Sequence, residues 1–281
     1  AQGVRRLNLA RELGLEEIHA IRAATAAELE VFVHGALCIS YSGRCLLSSY
    51  FTGRSANQGD CAHPCRYRYA LVEEKRPGQY FPVEEDERGT YIFNSRDLCL
   101  LFRLPELVAA GVDAVKIEGR MKSVGYVGAV VRLYRLALDW IGEQLAAGRA
   151  PADIVLPAAF RREMEKIGTR GQSENFFSAH PSSGDMLYDT MRLEQGWVPA
   201  AVVRSATPLA VETRHSIAPG DLLEYLGRSI EPEIVTITGL WAEDGTPLDR
   251  AHPGRLVRLH TDPPLAEVEP ATILRKKIEP A

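Results

Sequence analysis

The chain changes its hydrophobic periodicity near residue 170, and this change limits its fold more than any other feature. Before it, strand-like runs such as 29–33 and 112–117 alternate with helical segments such as 126–145. After it, short β-rich runs recur, separated by turns that contain glycine and proline, such as 218–221. Alternating strands and helices predict a parallel sheet, whereas short, regularly spaced strands predict an antiparallel barrel or sandwich.

The sequence therefore predicts an α/β fold followed by a small all-β barrel. We expect residues 1–146 to form the β/α part and residues 171–281 the β-barrel domain, with a connector over 147–170. The connector contains two prolines, Pro151 and Pro157, and one charged helical segment, 161–166. Because the first residues, 4–9, already have the pattern of a strand, we expect the chain to begin inside a larger protein.

Composition excludes several classes of protein. The 281 residues are 46% hydrophobic and 25% charged, with a mean hydropathy of −0.13, which is typical of a soluble globular protein. No apolar run approaches the roughly 18–20 residues that span a bilayer, and no leader is evident. The net charge of −4 excludes a generally basic nucleic-acid binder but leaves room for a local basic patch. We expect a cytoplasmic protein with no membrane partner.

The cysteines are clustered. Four of the five lie close together, at Cys38, Cys45, Cys61 and Cys65, and the fifth is Cys99. An odd number in a large chain fits reduced thiols better than a disulfide framework. Cysteines in loops rich in glycine predict an iron–sulfur or zinc site, either of which needs four ligands. The alternative is that several of them are small buried hydrophobic residues.

Charged residues end or follow the strand 112–117. They alternate with other residues at its carboxyl end, where active-face residues of a β/α barrel lie, and they are Lys116, Glu118, Arg120 and Lys122. Lys116 and Arg120 are candidates to bind the carboxylates of a dianion, because arginine binds carboxylates through two parallel hydrogen bonds. A structural ion pair between Glu118 and a neighbour explains the pattern equally well.

A second basic segment alternates with aromatic residues. Arg66 and Arg68 interleave with Tyr67 and Tyr69, a mixture that suits contacts with RNA phosphates and bases. Alternation with a period of two also describes an ordinary strand with one solvated face, which is the favoured interpretation. Arg66 nevertheless remains a candidate substrate-binding residue.

Three stretches of sequence together resemble the peptidase U32 (collagenase-like) family. They are 30–48, which reads EVFVHGALCISYSGRCLLS, then 56–66 and 84–99, and a further match covers 115–123. Within the family, these stretches look most like the branch that hydroxylates the wobble uridine of tRNA with prephenate. The resemblance covers most of residues 1–140 and continues more weakly through the C-terminal domain.

The resemblance implies the later part of a modified TIM (β/α)8 barrel and a [4Fe–4S] cluster. Its ligands would be Cys38, Cys45, Cys61 and Cys99, with Cys65 or His63 as an alternative ligand. The implied activity is hydroxylation of RNA with prephenate as co-substrate. The expected partners are tRNA and this small dianion, and a homodimer is a further expectation. The catalytic residues are not identified.

A peptidase or peptide-binding protein with a structural zinc is the alternative. The sequence contains neither a Gly-x-Ser-x-Gly turn nor a His-Glu-x-x-His helix, so serine and zinc proteases have no motif here. A cysteine peptidase needs a Cys–His pair. His34 and His63 flank the cysteines, so such a pair stays open.

Overall fold

The computed structural model describes residues 3–37, 40–67, 70–72, 80–82, 94–168, 171–178, 186–187 and 196–278. The helices are α1 (Leu15–Ala24), α2 (Leu47–Thr52), α3 (Leu104–Ala109), α4 (Val124–Ala146) and α5 (Ala158–Glu165). The strands of the N-terminal part are β1 (Arg6–Asn8), β2 (Glu28–Gly35), β3 (Ala70–Val72), β4 (Tyr80–Pro82), β5 (Asn94–Ser95), β6 (Asp97–Cys99), β7 (Ala114–Glu118), β8 (Gln172–Ser173) and β9 (Met186–Leu187). Those of the C-terminal part are β10 (Trp197–Ser205), β11 (Ala210–Thr213), β12 (Leu222–Tyr225), β13 (Glu233–Trp241), β14 (Leu256–Asp262) and β15 (Ile273–Lys277).

Contacts along the chain divide it into two compact units. The first comprises 1–121 and 169–193, and the second comprises 122–168 and 194–281. The predicted boundaries at 146 and 170 differ from this grouping, because α4 and α5 belong with the C-terminal strands. No helix among the described residues is both long and apolar enough to cross a membrane.

The first unit contains a mixed five-stranded sheet around β2. Strands β1 and β7 pair with β2 in parallel, β6 pairs with it antiparallel, and β8 pairs with β6 in parallel. Two further pairs, β3 with β4 and β5 with β9, are antiparallel. Alternate residues of β2, Leu29, Val31 and Val33, are buried, as expected for a strand that packs one face against a core. The predicted α/β character is confirmed, whereas closure into a TIM barrel stays a prediction.

The second unit contains a closed antiparallel barrel. Its six strands follow the order β10-β11-β14-β13-β12-β15. Side chains from every strand fill the interior, among them Val203, Val211, Leu223, Ile237 and Leu259. The predicted small all-β barrel is therefore confirmed.

Helix α4 packs closely on this barrel within the second unit. It begins at Ser123, whose Oγ accepts the N–H of Tyr126 at 3.2 Å, an N-cap that satisfies one of the unpaired donors of the first turn. A Cβ at Gly125 would lie 2.7 Å from Cγ of Pro199, and one at Gly128 would lie 2.6 Å from Cδ1 of Ile273. Because both positions are glycine, the helix backbone approaches the strands closely. This contact explains why α4 groups with the barrel.

A buried ion network also lies in the second unit. Arg275 on β15 is 5% exposed, and its Nη2 lies 2.7 Å from Glu163 of α5 and 2.5 Å from Glu224 of β12. Lys166 lies 2.8 Å from Glu224 and 3.1 Å from Glu163. Burial lowers the pKa of the adjacent Arg132. Each buried carboxylate thus has more than one cationic partner, which offsets the cost of removing these charges from water.

Candidate functional site

The carboxyl ends of β2 and β7 lie side by side, since the two strands are parallel. Gly35 pairs with Glu118 at this edge. A Cβ at Gly35 would lie only 2.0 Å from the carbonyl oxygen of Glu118, and the φ of Gly35 is +104°. Only glycine tolerates both the conformation and the close approach. The two strands are therefore tightly joined at this edge, where the predicted site residues Lys116, Glu118 and Arg120 lie.

Strand β6 adds Cys99 to the same edge. Cys99 lies opposite His34, and the N–H of Leu100 donates to the carbonyl of Val33 at 2.8 Å. This pattern makes His34 and Cys99 a non-hydrogen-bonded pair, the arrangement in which opposite side chains are closest. His34 is 1% exposed, Cys99 is 7% exposed, and Asp97, two residues earlier on the same strand face, is also buried.

Three further cysteines lie in the loop region 40–67. The N–H of Cys45 donates to Oδ1 of Asn57 at 3.1 Å. The N–H of Ala62 donates to Oγ of the fully buried Ser48 at 3.0 Å. The fold thus joins the segment that carries Cys45 to the segment that carries Cys61 and Cys65, although Cys45 and Cys61 are sixteen positions apart in the sequence.

The thiols differ in their environments. Cys45 and Cys65 are buried, whereas Cys61 is half-buried and its Sγ accepts the N–H of His63 at 3.3 Å. His63 has a φ of 55°, in the left-handed region, and this turn directs its N–H back to the sulfur.

Thiols are the ligands that iron–sulfur clusters and zinc take, and three of the described ones lie in one loop region. Cys38, the first predicted ligand, lies outside the described residues. Within the described ranges, no group of three or more His, Cys, Asp or Glu side chains is close enough to hold a metal ion. The predicted ligand set therefore stays a prediction for Cys38, Cys45, Cys61 and Cys99, and for Cys65 and His63 as alternatives.

Arg120 connects the cysteine loop to the edge of the sheet. Its Nη1 donates to the carbonyl of Gly59 at 2.6 Å, and its Nη2 lies 2.7 Å from Oδ1 of Asp60. Arg54 approaches the same carboxylate at 2.9 Å. Asp60 immediately precedes Cys61, so this ion pair holds the second cysteine segment near the carboxyl end of β7. Arg120 is half exposed, and it therefore keeps donor surface toward solvent.

The other predicted substrate-binding residues of the first unit also form ion pairs. Lys116 Nζ lies 2.9 Å from Oε1 of Glu30, and Arg11 lies 3.6 Å from Oε2 of Glu118. Both cations lie over the ring of Phe32, Arg11 at 3.7 Å and Lys116 at 5.1 Å. The structural ion pairs considered from sequence are thus present, and they leave Lys116 partly exposed.

Two predicted residues are not placed at this edge. Lys122 belongs to the second unit, where its Nζ lies 4.7 Å from the ring centroid of Tyr126. Arg66 ends a short 3-10 turn, Pro64–Arg66, and its side chain lies outside the described part of the structure. Sequence reasoning missed Ser48, Asn57 and Asp60, whose roles depend on contacts with residues distant in sequence. The only sequence signal for these three residues was their position within the cysteine-rich stretches.

Family models match both parts of the chain. The peptidase family U32 model matches residues 1–187, and the peptidase family U32 C-terminal domain model matches residues 200–275. A crystal structure of the C-terminal domain of a putative U32 peptidase from Geobacillus thermoleovorans is 31% identical, covers 28% of this chain and 91% of its own, and has a TM-score of 0.25.

Characterised relatives carry names from RNA modification. The tRNA hydroxylation protein P1 of Bacillus subtilis is 31% identical over 98% of this chain and 64% of its own length. The tRNA hydroxylation protein P of Escherichia coli is 34% identical over 80% of this chain and 57% of its own. The 23S rRNA 5-hydroxycytidine C2501 synthase of Escherichia coli is 35% identical over 83% of this chain and 34% of its own.

The chain therefore spans less than two thirds of the length of these relatives. The U32 model nevertheless covers well over half of the chain, and the C-terminal model covers most of the closed barrel. The edge formed by β2 and β7 and the cysteine loop both fall inside the U32 match. The chain belongs to peptidase family U32.

Proposed function

We propose that this chain is the cysteine-bearing part of an RNA hydroxylase. The observation that carries the proposal is its similarity, over 98% and 80% of its length, to two proteins named for tRNA hydroxylation. The relative named as an rRNA hydroxycytidine synthase supports the same reaction type on a different RNA. The wobble uridine of tRNA is the proposed substrate, and a 5-hydroxyl group is the proposed product.

The proposed oxygen donor is prephenate, a small dianion. Two features of the described edge support an anionic co-substrate. Arg120 is half exposed beside Asp60, and Lys116 is 43% exposed beside Glu30. Arginine binds a carboxylate through two parallel hydrogen bonds, and lysine supplies a compact charge for a second carboxylate. Glu118 accepts the N–H of Arg120 at 3.0 Å and thereby orients the turn that carries this arginine.

The proposed cofactor is a [4Fe–4S] cluster held by Cys38, Cys45, Cys61 and Cys99, with Cys65 as the substitute for one of them. Such a cluster, when bound, supplies a redox-active iron centre whose potential depends on burial and on hydrogen bonds to its sulfurs. The protein contributes the buried positions of Cys45 and Cys99 and the N–H of His63 directed at Cys61. Burial keeps Cys45 and Cys99 largely out of water, and the N–H of His63 supplies a hydrogen bond to the sulfur of Cys61.

A peptidase with a structural zinc is the second candidate. The register pair of His34 and Cys99 favours it, because a thiol activated by an adjacent imidazole is the nucleophile of cysteine peptidases. Burial of both side chains opposes it, since a peptide bond must reach the nucleophile. We therefore retain the hydroxylase as the better-supported function.

Nucleoside analysis tests the proposed function. Total tRNA from a strain that lacks the gene is digested and compared by mass spectrometry with tRNA from the parent strain. The proposal predicts loss of 5-hydroxyuridine derivatives in the deletion strain. Unchanged levels of these nucleosides, together with a loss of 5-hydroxycytidine from ribosomal RNA, would move the substrate from tRNA to rRNA. Unchanged nucleosides in both RNAs would contradict the proposal.

A further inference from the structure

A cleft lies on the outer face of the β-barrel in the second unit. Its volume is about 680 Å³, within the range of roughly 300–1,000 Å³ that small-molecule sites occupy. Its lining includes the apolar residues Pro208, Leu209 and Leu265, together with Trp241, Arg258 and His260. None of these residues belongs to the cysteine-bearing edge of the first unit.

The indole of Trp241 lies over Gly239 on the same strand. In the pairing of β13 with β14, Gly239 lies opposite His260. A Cβ at Gly239 would lie 2.1 Å from the indole Cη2, so the indole occupies the space that any other side chain would fill. The centroid of the indole lies 4.4 Å from that of the His260 ring, with an angle of 53° between the planes. Gly239 thus lets the indole lie beside the His260 ring, and this aromatic pair remains accessible, because Trp241 is only half-buried and His260 is exposed.

Arg258 provides a polar group beside this aromatic surface. It lies directly opposite Trp241 in the pairing of β13 with β14, so both side chains project from the same face of the barrel. Its Nη2 is 3.5 Å from the carbonyl of Glu243, which is at the limit of a hydrogen bond. Its Nε is buried and has no hydrogen-bond partner among the described residues. Since a guanidinium carries five N–H donors and this one makes only one long hydrogen bond, an acceptor on a ligand in the cleft would improve its hydrogen bonding.

The walls of the cleft identify the kind of ligand. Leu209, Leu265 and Val268 are partly buried and pack against the barrel core, so they present apolar surface to the cleft. A phosphate group gains little from such walls, because it would lose its hydration. A planar heterocycle fits them, since its face stacks on aromatic rings and its edge carries hydrogen-bond acceptors.

We propose that this cleft binds an unpaired nucleobase of the RNA on which the protein acts. The base stacks on the paired rings of Trp241 and His260, and Arg258 donates a hydrogen bond to an acceptor on the base edge. The RNA class rests on the function proposed above, whereas the stacking site rests on the cleft alone. The barrel thereby positions RNA, while the chemistry takes place elsewhere in the protein.

Binding of a short, fluorescently labelled single-stranded RNA to the full chain tests the proposal. Trp241→Ala is expected to weaken binding about 10- to 100-fold, the range that removal of one stacking residue produces. Gly239→Val is expected to weaken it comparably, because the new side chain displaces the indole. Trp241→Phe retains a stacking ring and keeps most of the affinity. Leu222→Ala, which truncates an exposed side chain of β12, is the matched control and leaves affinity unchanged.

Circular dichroism and thermal unfolding establish that each variant is folded, and Gly239→Val supplies the comparison if Trp241→Ala is not. Equal RNA affinity of wild type, Trp241→Ala and Gly239→Val would overturn the proposal while leaving the proposed hydroxylation intact. Conversely, unchanged nucleosides in the deletion strain, combined with RNA binding that depends on Trp241, would refute the hydroxylation but not the cleft.

Discussion

At the scale of single residues, the contact between Gly35 and Glu118 holds the candidate site together. We predict that Gly35→Ala lowers the free energy of unfolding by about 2–4 kcal/mol, because the new methyl group meets a carbonyl oxygen and the backbone is left-handed. Gly53→Ala is the matched control: its φ is +70°, yet nothing lies within 4 Å of the added Cβ. Its expected cost is about 1 kcal/mol. Urea unfolding measures both, and equal losses would show that the contact at Gly35 contributes nothing.

Variants of Arg120 and Asp60 distinguish two roles of Arg120, binding of the co-substrate and the structural ion pair with Asp60. If Arg120 binds a carboxylate of the co-substrate, Arg120→Ala raises the KM for that co-substrate substantially, by about tenfold or more. Asp60→Asn leaves the guanidinium present and raises KM much less. We expect this difference. Stability changes by only about 1 kcal/mol or less in either variant, because the pair is exposed. Identical KM values in the two variants would reduce Arg120 to a structural link.

The same residues show what sequence reasoning can and cannot reach. Polar residues after the strand 112–117 indicated a candidate active edge, so the sequence was enough to name Arg120 as a candidate binding residue. Its partner Asp60 was not, because nothing in the sequence specifies which of many carboxylates meets a given arginine across sixty residues. Likewise, the sequence did not indicate that Trp241 lines a cleft. The position of the indole depends on the absence of a side chain at Gly239 and on the pairing register of β13 with β14.

At the scale of elements, most segments with a clear hydrophobic pattern were predicted from the sequence, whereas strand β6 was missed. The predicted helix 126–145 corresponds to α4, and the predicted strand 112–117 corresponds to β7 with a shift of one or two residues. Strand β6, by contrast, has only three residues, all of them buried, so it shows no alternation of apolar and polar residues that would identify it as a strand. Its place beside β2 follows from tertiary pairing, which also brings Cys99 opposite His34.

The ion network of α5, β12 and β15 yields an element-scale prediction. Arg275→Met leaves two buried carboxylates with fewer cationic partners, and we expect a loss of about 3–5 kcal/mol in the free energy of unfolding. Arg162→Ala is the matched control, because the Arg162–Glu231 pair is about 60% exposed on both sides. Its expected cost is below about 1 kcal/mol. A comparable, small loss in Arg275→Met would show that the network does not fasten α5 to the barrel.

At the scale of the whole molecule, the two units suggest a division of labour. The first unit carries the cysteine loop and the edge with Lys116 and Arg120, and the second carries the proposed base-binding cleft.

Anaerobic purification tests the proposed iron–sulfur cluster. We expect a brown protein with about four iron and four sulfide ions per chain, and little of either in the Cys45→Ser variant. A colourless protein that contains stoichiometric zinc would contradict the proposed cluster and favour a structural metal.

The most direct measurement combines the proposed chemistry with the proposed ligands. The deletion strain is supplied either with the intact gene or with the same gene carrying Cys45→Ser, and the wobble nucleosides of its tRNA are quantified by mass spectrometry. The account predicts that the intact gene restores 5-hydroxyuridine derivatives and that the Cys45→Ser gene, expressed at the same level, does not. Full restoration by the Cys45→Ser gene would contradict it.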